Sequence, residues 1–270
     1  MKRIAFTIIN YFGEKDVMAF FSKELLLQKE VELIPILVNN GSNDIQALQD
    51  FCKKNSIHFL NPGSNLGYLN GAAFAHEYCK KDNISFDCFI LSNYDIHFRN
   101  EYDLKNLIDI ANERSLDVFG PQILNMPSES AANPMFETRI TQSHIQRLVF
   151  VNSVYFISVI YQSLHLLKKF FKKNNTNSQN LTSSCYAIHG SFMCFSKSFF
   201  EKKGILQYPS FLYGEELYIG EQCKIIGAQC GWTDTVVIEH HEHITTGKIK
   251  SRKHVRFLYE ALSFLKKNYF

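Results

Sequence analysis

A short apolar strand that runs into two polar side chains is the most informative feature of this sequence. Residues 89–91 are Phe, Ile and Leu, and Asn93 and Asp95 follow closely. The carboxyl end of such a strand lies at the sheet edge where open α/β sheets bind ligands. A carboxylate beside a small amide suits a hard divalent cation that keeps positions open for diphosphate oxygens. A simple turn is the alternative, because Asn and Asp are common turn formers.

Two adjacent carboxylates, Glu215 and Glu216, follow an aromatic and glycine-containing stretch at residues 211–214. A carboxylate placed beside a hydroxyl can act as its general base. The common alternative is a solvated helix start, where the helix dipole favours acidic side chains. The aromatic lead-in favours the catalytic interpretation, because functional residues cluster in shared pockets.

A histidine cluster at residues 240, 241 and 243 follows the apolar pair Val237 and Ile238. Zinc could be held by these histidines together with Cys223 and Cys230. Their spacing fits no common zinc pattern, so we do not favour a zinc site.

Alternating strands and helices are expected to position these residues. Apolar runs predict strands at 4–10, 33–38, 57–60 and 86–92, and helical spacing predicts helices at 17–28, 45–55, 71–81 and 104–114. This alternation is typical of a parallel sheet with helices on both faces. A polar tract at 174–184 predicts a loop. Strand-like sequence follows at 185–195, and an amphipathic, basic helix is predicted at 254–268.

The composition excludes several classes of protein. The chain has 270 residues, is 46% hydrophobic and has a formal net charge of +3, so it can bury a large core and is not expected to bind nucleic acid. Its seven cysteines are scattered and form no C-x-x-C pair, which favours free thiols in a reducing compartment. The apolar run at 4–9 is too short for a signal peptide. We therefore expect a cytoplasmic protein.

Residues 147–173 depart from the alternating pattern, because they are strongly apolar and end in a cluster of lysines. The segment nearly reaches the ~20 residues of a membrane-spanning helix but carries too many polar residues. We expect a helix lying in the lipid interface, with lysines at anionic headgroups, at the inner face of the plasma membrane. An ordinary packing helix or a homodimer helix is the alternative. The polar side chains form one helical stripe of Ser158, Gln162, His165, Lys169 and Lys172.

Several motifs in the same order make the chain resemble glycosyltransferase family 2, an inverting group with the GT-A fold, and most closely its bacterial rhamnosyltransferase-like members. They are the opening strand at 7–11, the V-N-N-G-S segment at 38–42, the N-L-G-Y loop at 65–68, the N-Y-D motif at 93–95, and the H-G-S-F-M and F-L-Y-G-E-E segments at 189–193 and 211–216. The last two segments match the family most specifically.

The resemblance implies an α/β GT-A fold with a Rossmann-like, mostly parallel central sheet flanked by helices. Residues 1–250 would form one domain, with a nucleotide-sugar-binding half at 1–100 and an acceptor half at 101–250. The acceptor half would contain a helical insertion at about 140–184, and the basic C-terminal helix would span 251–270.

The same resemblance implies transfer of a sugar from a nucleotide-diphosphate sugar to a saccharide or lipid-linked acceptor in O-antigen, capsule or lipopolysaccharide synthesis. Glu216 would be the catalytic base, with Glu215 as the second candidate. A divalent cation, Mg²⁺ or Mn²⁺, would be bound by Asp95 and His240, with His241 second to His240. The implied nucleotide-sugar contacts are Thr7, Asn10, Tyr11, Asn39, Ser42, Asn65, Gly67, Tyr68, Gly71, Asn93, Tyr94, His189 and Gly190.

Six positions depart from the family pattern. Where the family usually has Asp, Asn, Gly, Asp, Asp and Arg, this chain has Asn39, Ala73, Ala75, Glu216, Tyr218 and Gln222. These differences raise the alternative of a non-catalytic nucleotide-sugar-binding or scaffold protein with the same fold. A nucleotidyltransferase ranks last, because residues 10–14 do not form a basic, glycine-rich phosphate loop.

Overall fold

The computed structural model of the chain describes residues 1–171, 182–241 and 251–270, with the side chains of 164–171 left out of the description. The strands of the described residues are β1 (Lys2–Tyr11), β2 (Val31–Gly41), β3 (His58–Leu60), β4 (Cys88–Ser92), β5 (Ile96–Phe98), β6 (Val118–Asn125), β7 (Ser130–Ala131), β8 (Thr182–Ser184), β9 (Phe192–Ser196) and β10 (Cys230–His240). The helices are α1 (Glu14–Lys23), α2 (Ile45–Lys54), α3 (Tyr68–Lys81), α4 (Asp103–Glu113), α5 (Gln142–Ser153), α6 (Tyr155–Phe171), α7 (Lys197–Glu201), α8 (Glu215–Ile226) and α9 (Arg252–Tyr269).

The strands form a single mixed sheet in the order β3-β2-β1-β4-β9-β6-β10-β5, with β7 beside β6 and β8 beside β10. The first four strands in this order are parallel, as is the β6–β10 pair. Strand β9 runs antiparallel to both β4 and β6. The predicted α/β class is confirmed, and the parallel pairing is concentrated in the N-terminal half.

Two hydrophobic layers cover the faces of this sheet. Helices α1, α2 and α4 pack on one face, where Phe20, Leu48 and Leu104 are buried. Helices α3, α8 and α9 pack on the other face. Both layers are needed because the central strands are apolar on both sides, as in parallel sheets generally.

Strand pairing brings residues distant in sequence to one edge of the molecule. Strand β5 runs antiparallel to β10, with Ile96 opposite His240. The backbone N–H of His241 also donates to the Asp95 carbonyl at 2.9 Å. The ends of β4 and β10 therefore meet, and Asp95 is placed beside His240.

Helix α9 is linked to α8 through Arg139, which forms an ion pair with a buried carboxylate. Arg139 contacts the buried Glu221 carboxylate of α8 at 2.6 Å, donates to the Tyr269 carbonyl and lies over the Phe270 ring at 4.0 Å. The Tyr186 hydroxyl also donates to Glu221 at 2.7 Å. This network holds α9 against α8, which begins with Glu215 and Glu216.

Four predicted elements differ from the structure. The helix expected over 17–28 ends at Lys23 and is followed by a 3-10 turn at Leu25–Leu27. The single helix expected over 147–173 is two helices up to residue 171, because Val154 between α5 and α6 is extended, with φ −124° and ψ 121°. Of the loop expected at 174–184, Thr182–Ser184 is strand β8, and residues 172–181 lie outside the described residues. The strand expected at 185–195 begins only at Phe192, and Ala187 before it forms an isolated bridge with Phe136. Among the residues described, no helix is long and apolar enough to cross a membrane.

Candidate active site

Asp95 and His240 form a pair with the chemistry of a cation site. His240 Nε2 lies 3.2 Å from Asp95 Oδ1, and both side chains are largely buried. The other imidazole nitrogen, Nδ1, lies 3.1 Å from Asn125 Oδ1, an amide oxygen that can only accept. If Nδ1 carries the proton, Nε2 presents a lone pair to a carboxylate oxygen. Two lone pairs at this distance repel each other unless a proton or a cation lies between them. An imidazole nitrogen and a carboxylate oxygen are both ligands of divalent cations, so the pair fits such a cation.

The donor set favours a cation that completes its shell with ligand oxygens. Asn93 Nδ2 lies 3.5 Å from His240 Nε2, and the His189 ring lies 6.0 Å from the His240 ring. In the described ranges no group of three or more His, Cys, Asp or Glu side chains could hold a metal. Two protein ligands leave most of an octahedral shell for phosphate oxygens and water. Asp95 and His240 would therefore bind the cation together with a diphosphate.

The predicted zinc alternative receives no support from the described residues. Cys223 and Cys230 are buried and, like the other five cysteines, are free thiols. Cys230 Sγ lies 3.9 Å from Cys185 Sγ, in the core beneath α8. His243 lies outside the described residues.

The two glutamates at the start of α8 have different surroundings. Glu215 is buried, and its Oε1 accepts from the backbone N–H of Tyr213 at 2.9 Å. Glu216 is half-buried, and a Cβ added to Gly190 would lie 2.7 Å from Glu216 Oε1. Glu215 thus fixes the turn that precedes the helix, whereas Glu216 faces the Gly190 backbone.

The Tyr68 hydroxyl connects the cation pair to the glutamates. Its oxygen is buried and has no hydrogen-bond partner in the part of the chain that the structure describes. Burial raises the pKa of Tyr68 well above its usual value, and the charges of Asp95, Glu215 and Glu216 raise it further. Asp95 and the adjacent pair Glu215 and Glu216, from two distant parts of the sequence, therefore all act electrostatically on the Tyr68 hydroxyl, which stays protonated.

The loop that carries Gly67 joins the β2 end to the segment before α8. Asn65 Oδ1 accepts from the Gly67 N–H at 2.9 Å, and Asn40 Nδ2 donates to the Gly67 carbonyl at 2.9 Å. Asn70 binds the backbone of Tyr208 in both directions. These amides position the loop before Glu215. The sequence motifs included Asn40 only as part of the V-N-N-G-S segment and did not include Asn70.

Glycine is required at position 67 both by the backbone angles and by the atoms that surround the Cα. Its φ of 85° and ψ of −174° lie in a region that is essentially restricted to glycine. A Cβ there would overlap the Phe211 carbonyl oxygen. Gly71 has a packing role instead, because a Cβ there would lie 2.8 Å from Ile9 Cδ1 of β1.

We expect Gly67→Ala to lower the free energy of unfolding by at least ~2 kcal/mol, because it combines backbone strain with a clash. Gly63→Ala is the matched control, since Gly63 also has a positive φ, 77°, but open space around its Cβ. The control is expected to cost about 1 kcal/mol. Urea denaturation of both variants measures the difference. Equal losses would show that the Phe211 contact does not restrict this loop.

The polar residues predicted at the ends of β1 and β2 form an internal network. Asn10 Nδ2 donates to Asn39 Oδ1 at 2.9 Å and to the Gly41 carbonyl at 2.8 Å. Asn39 Nδ2 in turn lies 3.2 Å from Ser42 Oγ. Asn10 and Asn39 are buried, and Thr7 is fully buried deeper in β1. This network shapes the strand ends.

The side chains exposed at this end of the sheet are aromatic. Tyr11 and Phe12 are about half exposed, and their rings meet edge to face at 4.7 Å. A Cβ on Gly41 would lie 3.0 Å from Phe12, so glycine allows this approach. Tyr94 lies against Gly13 in the same region, where an added Cβ would be 2.5 Å from its hydroxyl. The sequence motifs included Tyr11 and Tyr94 but not Phe12.

Comparisons with known proteins bear on the fold and on the class of protein. No protein-family profile matches the chain. The hexosyltransferase Agl10 of low-salt glycan biosynthesis in Haloferax volcanii is 24% identical over 254 residues, which cover 92% of this chain and 70% of the relative.

Two solved glycosyltransferase structures share the fold. The mannosyltransferase PcManGT from Pyrobaculum calidifontis, in complex with GDP-Man and Mn²⁺, has a TM-score of 0.58 and 11% identity over 92% of this chain and 59% of its own. GalNAc-T7 with UDP, GalNAc and Mn²⁺ has a TM-score of 0.55 and 11% identity over 91% of this chain and 44% of its own. The chain thus spans less than two thirds of either solved protein.

The fold is therefore that of the GT-A glycosyltransferases, as predicted. The sequence relative and both solved structures are glycosyltransferases, which supports the predicted class of enzyme.

Proposed function

We propose that this chain is an inverting, metal-dependent glycosyltransferase of the family 2 type, close to the rhamnosyltransferase-like branch. It transfers a sugar from a nucleotide-diphosphate donor to a saccharide or lipid-linked acceptor, as in O-antigen, capsule or lipopolysaccharide assembly. The observation that carries the proposal is the contact of His240 Nε2 with Asp95 Oδ1 at 3.2 Å, together with the electrostatic effect of Asp95 and Glu216 on the buried Tyr68 hydroxyl.

The proposed base is Glu216. Its carboxylate lies against Gly190, a position where the absence of a side chain leaves room for it. It removes the proton from the attacking acceptor hydroxyl. Attack from the face opposite the departing diphosphate inverts the anomeric carbon. Glu215 supports this role by fixing the Tyr213 backbone.

The cation, Mg²⁺ or Mn²⁺, would be held by Asp95 and His240 and would neutralise the charge that develops on the leaving diphosphate. Asn93 and His189 line the same region. The Tyr68 hydroxyl is protonated and buried among the carboxylates, so it can donate a hydrogen bond to a bound sugar or phosphate.

The nucleotide base is proposed to bind at the ends of β1 and β2. The exposed rings of Tyr11 and Phe12 offer a stacking surface, which every base can use. This end of the sheet is stabilised by the hydrogen bonds among Asn10, Asn39 and Ser42.

The scaffold-protein alternative draws on the departures at Asn39, Ala73, Tyr218 and Gln222. The Tyr218 and Gln222 side chains are buried, and both contact Tyr269 of α9. The Tyr218 hydroxyl donates to the Gln207 carbonyl at 2.6 Å, and Gln222 Nε2 lies 3.4 Å from the Tyr269 hydroxyl. The two residues that replace the family's Asp and Arg thus have structural contacts of their own.

Nucleotide binding followed by turnover tests the proposal. We expect UDP or GDP with Mn²⁺ to stabilise the protein by about 2.7 kcal/mol at a ligand concentration a hundred times the dissociation constant. We also expect transfer from one member of a panel of nucleotide sugars to lipid-linked and saccharide acceptors. Thermal denaturation measures the binding, and product analysis gives the anomeric configuration. Binding without turnover over the whole panel would support the scaffold alternative, and no binding would contradict both.

A further inference from the structure

Helix α6 presents apolar side chains to solvent and polar side chains to the protein. Phe156 is 67% exposed and Ile160 is 60% exposed, whereas Ser158 is fully buried. The Ser158 hydroxyl donates to Asn152 Oδ1 at 2.7 Å and accepts from Gln162 Nε2 at 2.8 Å. The polar stripe predicted to face lipid headgroups therefore faces inward at Ser158, because Asn152 of α5 provides its partner.

The exposed apolar side chains form one continuous stretch across the junction of α5 and α6, which we call the junction surface. Exposure of these side chains to water is unfavourable, because transfer of an apolar side chain from water to an apolar environment lowers the free energy. A helix that buries polar groups and exposes apolar ones is suited to an apolar surrounding. The junction surface consists of Phe150, Val154, Phe156, Ile157 and Ile160.

The surroundings of the junction surface are cationic. No Asp or Glu occurs between residues 138 and 200, or between residues 243 and 259. The Arg252 guanidinium of α9 lies 5.4 Å from the centroid of the Tyr155 ring, so the basic start of α9 adjoins the start of α6. The formal charge of the whole chain is only +3, so the remainder of the chain is net negative. The exposed cations at this position are Arg147, Arg252, Lys253 and Arg256.

Charge decides which occupant fits the junction surface. In a symmetric dimer the same patch faces itself. The exposed arginines and lysine would then approach each other, and the one acidic side chain of described α9, Glu260, already pairs with Arg256 at 2.7 Å. Apolar side chains surrounded by cations instead match the acyl chains and anionic headgroups of a membrane.

We propose that the junction surface and the start of α9 dock on an anionic membrane. Phe257 and His254 of α9 lie against the rings of Phe211 and Tyr213, at 4.9 and 6.2 Å. The docked face is thus continuous with the loop that precedes Glu216. If the proposed transferase activity holds, this arrangement delivers a lipid-linked acceptor to the catalytic base from the membrane side.

Vesicle flotation with the full chain tests the docking without any need for turnover. The probes are phosphatidylcholine vesicles with and without phosphatidylglycerol. We expect binding to the anionic vesicles. The Phe150→Ser/Phe156→Ser/Ile160→Ser variant should lower the partition coefficient at least ~100-fold, since it removes three exposed apolar side chains that would enter the membrane. The Arg252→Gln/Lys253→Gln variant should lower it about tenfold or more.

Two matched controls leave the proposed docking face intact. Ile225→Ser removes an apolar side chain that is 64% exposed on α8, and Lys53→Gln/Lys54→Gln removes two exposed charges from α2. Both should bind vesicles like the unmodified chain. All variants should keep the same melting temperature, because the changed side chains are exposed, and the same Mn²⁺-dependent nucleotide binding.

Three results would overturn the proposal. One is absence of binding to the anionic vesicles, and another is undiminished binding by the apolar variant. The third is a concentration-dependent dimer in sedimentation that the apolar variant abolishes, which would assign the surface to a second copy. Nucleotide binding is measured separately, so failure of the docking is distinguishable from failure of the proposed activity.

Discussion

Replacing Glu216 with glutamine is expected to lower the rate of sugar transfer by about 10²–10⁴-fold, the usual contribution of a general base. Glutamine has almost the same shape but cannot accept the proton of the acceptor hydroxyl. The side chain is half-buried beside Gly190, so the substitution should fit without rearrangement. Nucleotide affinity should not change, because binding of the donor does not require proton transfer.

Glu215→Gln is the matched control at the neighbouring position. Glutamine keeps a side-chain oxygen that can accept from the Tyr213 N–H, the hydrogen bond that Glu215 makes at 2.9 Å. The control should therefore retain the loop before α8 and most of the activity. Comparison of the two variants distinguishes a catalytic carboxylate from one that positions the backbone, although both lie in the first turn of the same helix.

Steady-state kinetics and melting temperatures decide between the two glutamates. Loss of activity in Glu216→Gln with an unchanged melting temperature supports the proposed base. Full activity of that variant would falsify the assignment. Equal loss in both variants, with both folded, would mean that the two carboxylates act as one unit.

Asp95→Asn is expected to remove the metal-dependent part of nucleotide binding. Asparagine keeps an oxygen at the site but loses the charge that attracts a hard cation. Because Asp95 and His240 are the two side chains that fit the cation, the variant should bind Mn²⁺ at least ~100-fold more weakly in the presence of UDP or GDP. The folded state should persist, since the change removes a buried charge near two other carboxylates.

Electron paramagnetic resonance of Mn²⁺ measures this binding directly, without reliance on turnover. Asn125→Ala is an intermediate case, because Asn125 contacts only the far nitrogen of His240. We expect that variant to lose about 10–100-fold in metal affinity, as is typical when a group that orients a ligand is removed. The site assignment fails if Asp95→Asn binds Mn²⁺ and nucleotide like the unmodified chain.

The local sequence pattern predicted most of the strands and helices and indicated the chemistry that they could carry. The apolar runs at 4–10 and 86–92 predicted β1 and β4, because local hydrophobic pattern and strand formation are directly linked. Asp95 after a buried strand and two glutamates after a glycine indicated a cation site and a base. Both signals are local in the chain, so they are visible without a fold.

The arrangement of these residues depends on contacts between parts of the chain that lie far apart in the sequence. Glu215 and Glu216 have the same local sequence signal, and the contact with Gly190 distinguishes them because it joins positions far apart in the chain. His240 is favoured over His241 because the pairing of β5 with β10 places it beside Asp95. Asn125, Asn40 and Asn70 act through long-range hydrogen bonds and carry no local motif.

Helix α6 shows the limit of sequence pattern most clearly. Its amphipathic spacing predicted a polar face and an apolar face but not which of them packs on the protein. A buried hydroxyl needs a hydrogen-bond partner, and Asn152 on the preceding helix supplies one to Ser158. That partner turned the polar side inward and left Phe156 and Ile160 exposed, because burial of a polar group depends on what surrounds it in space.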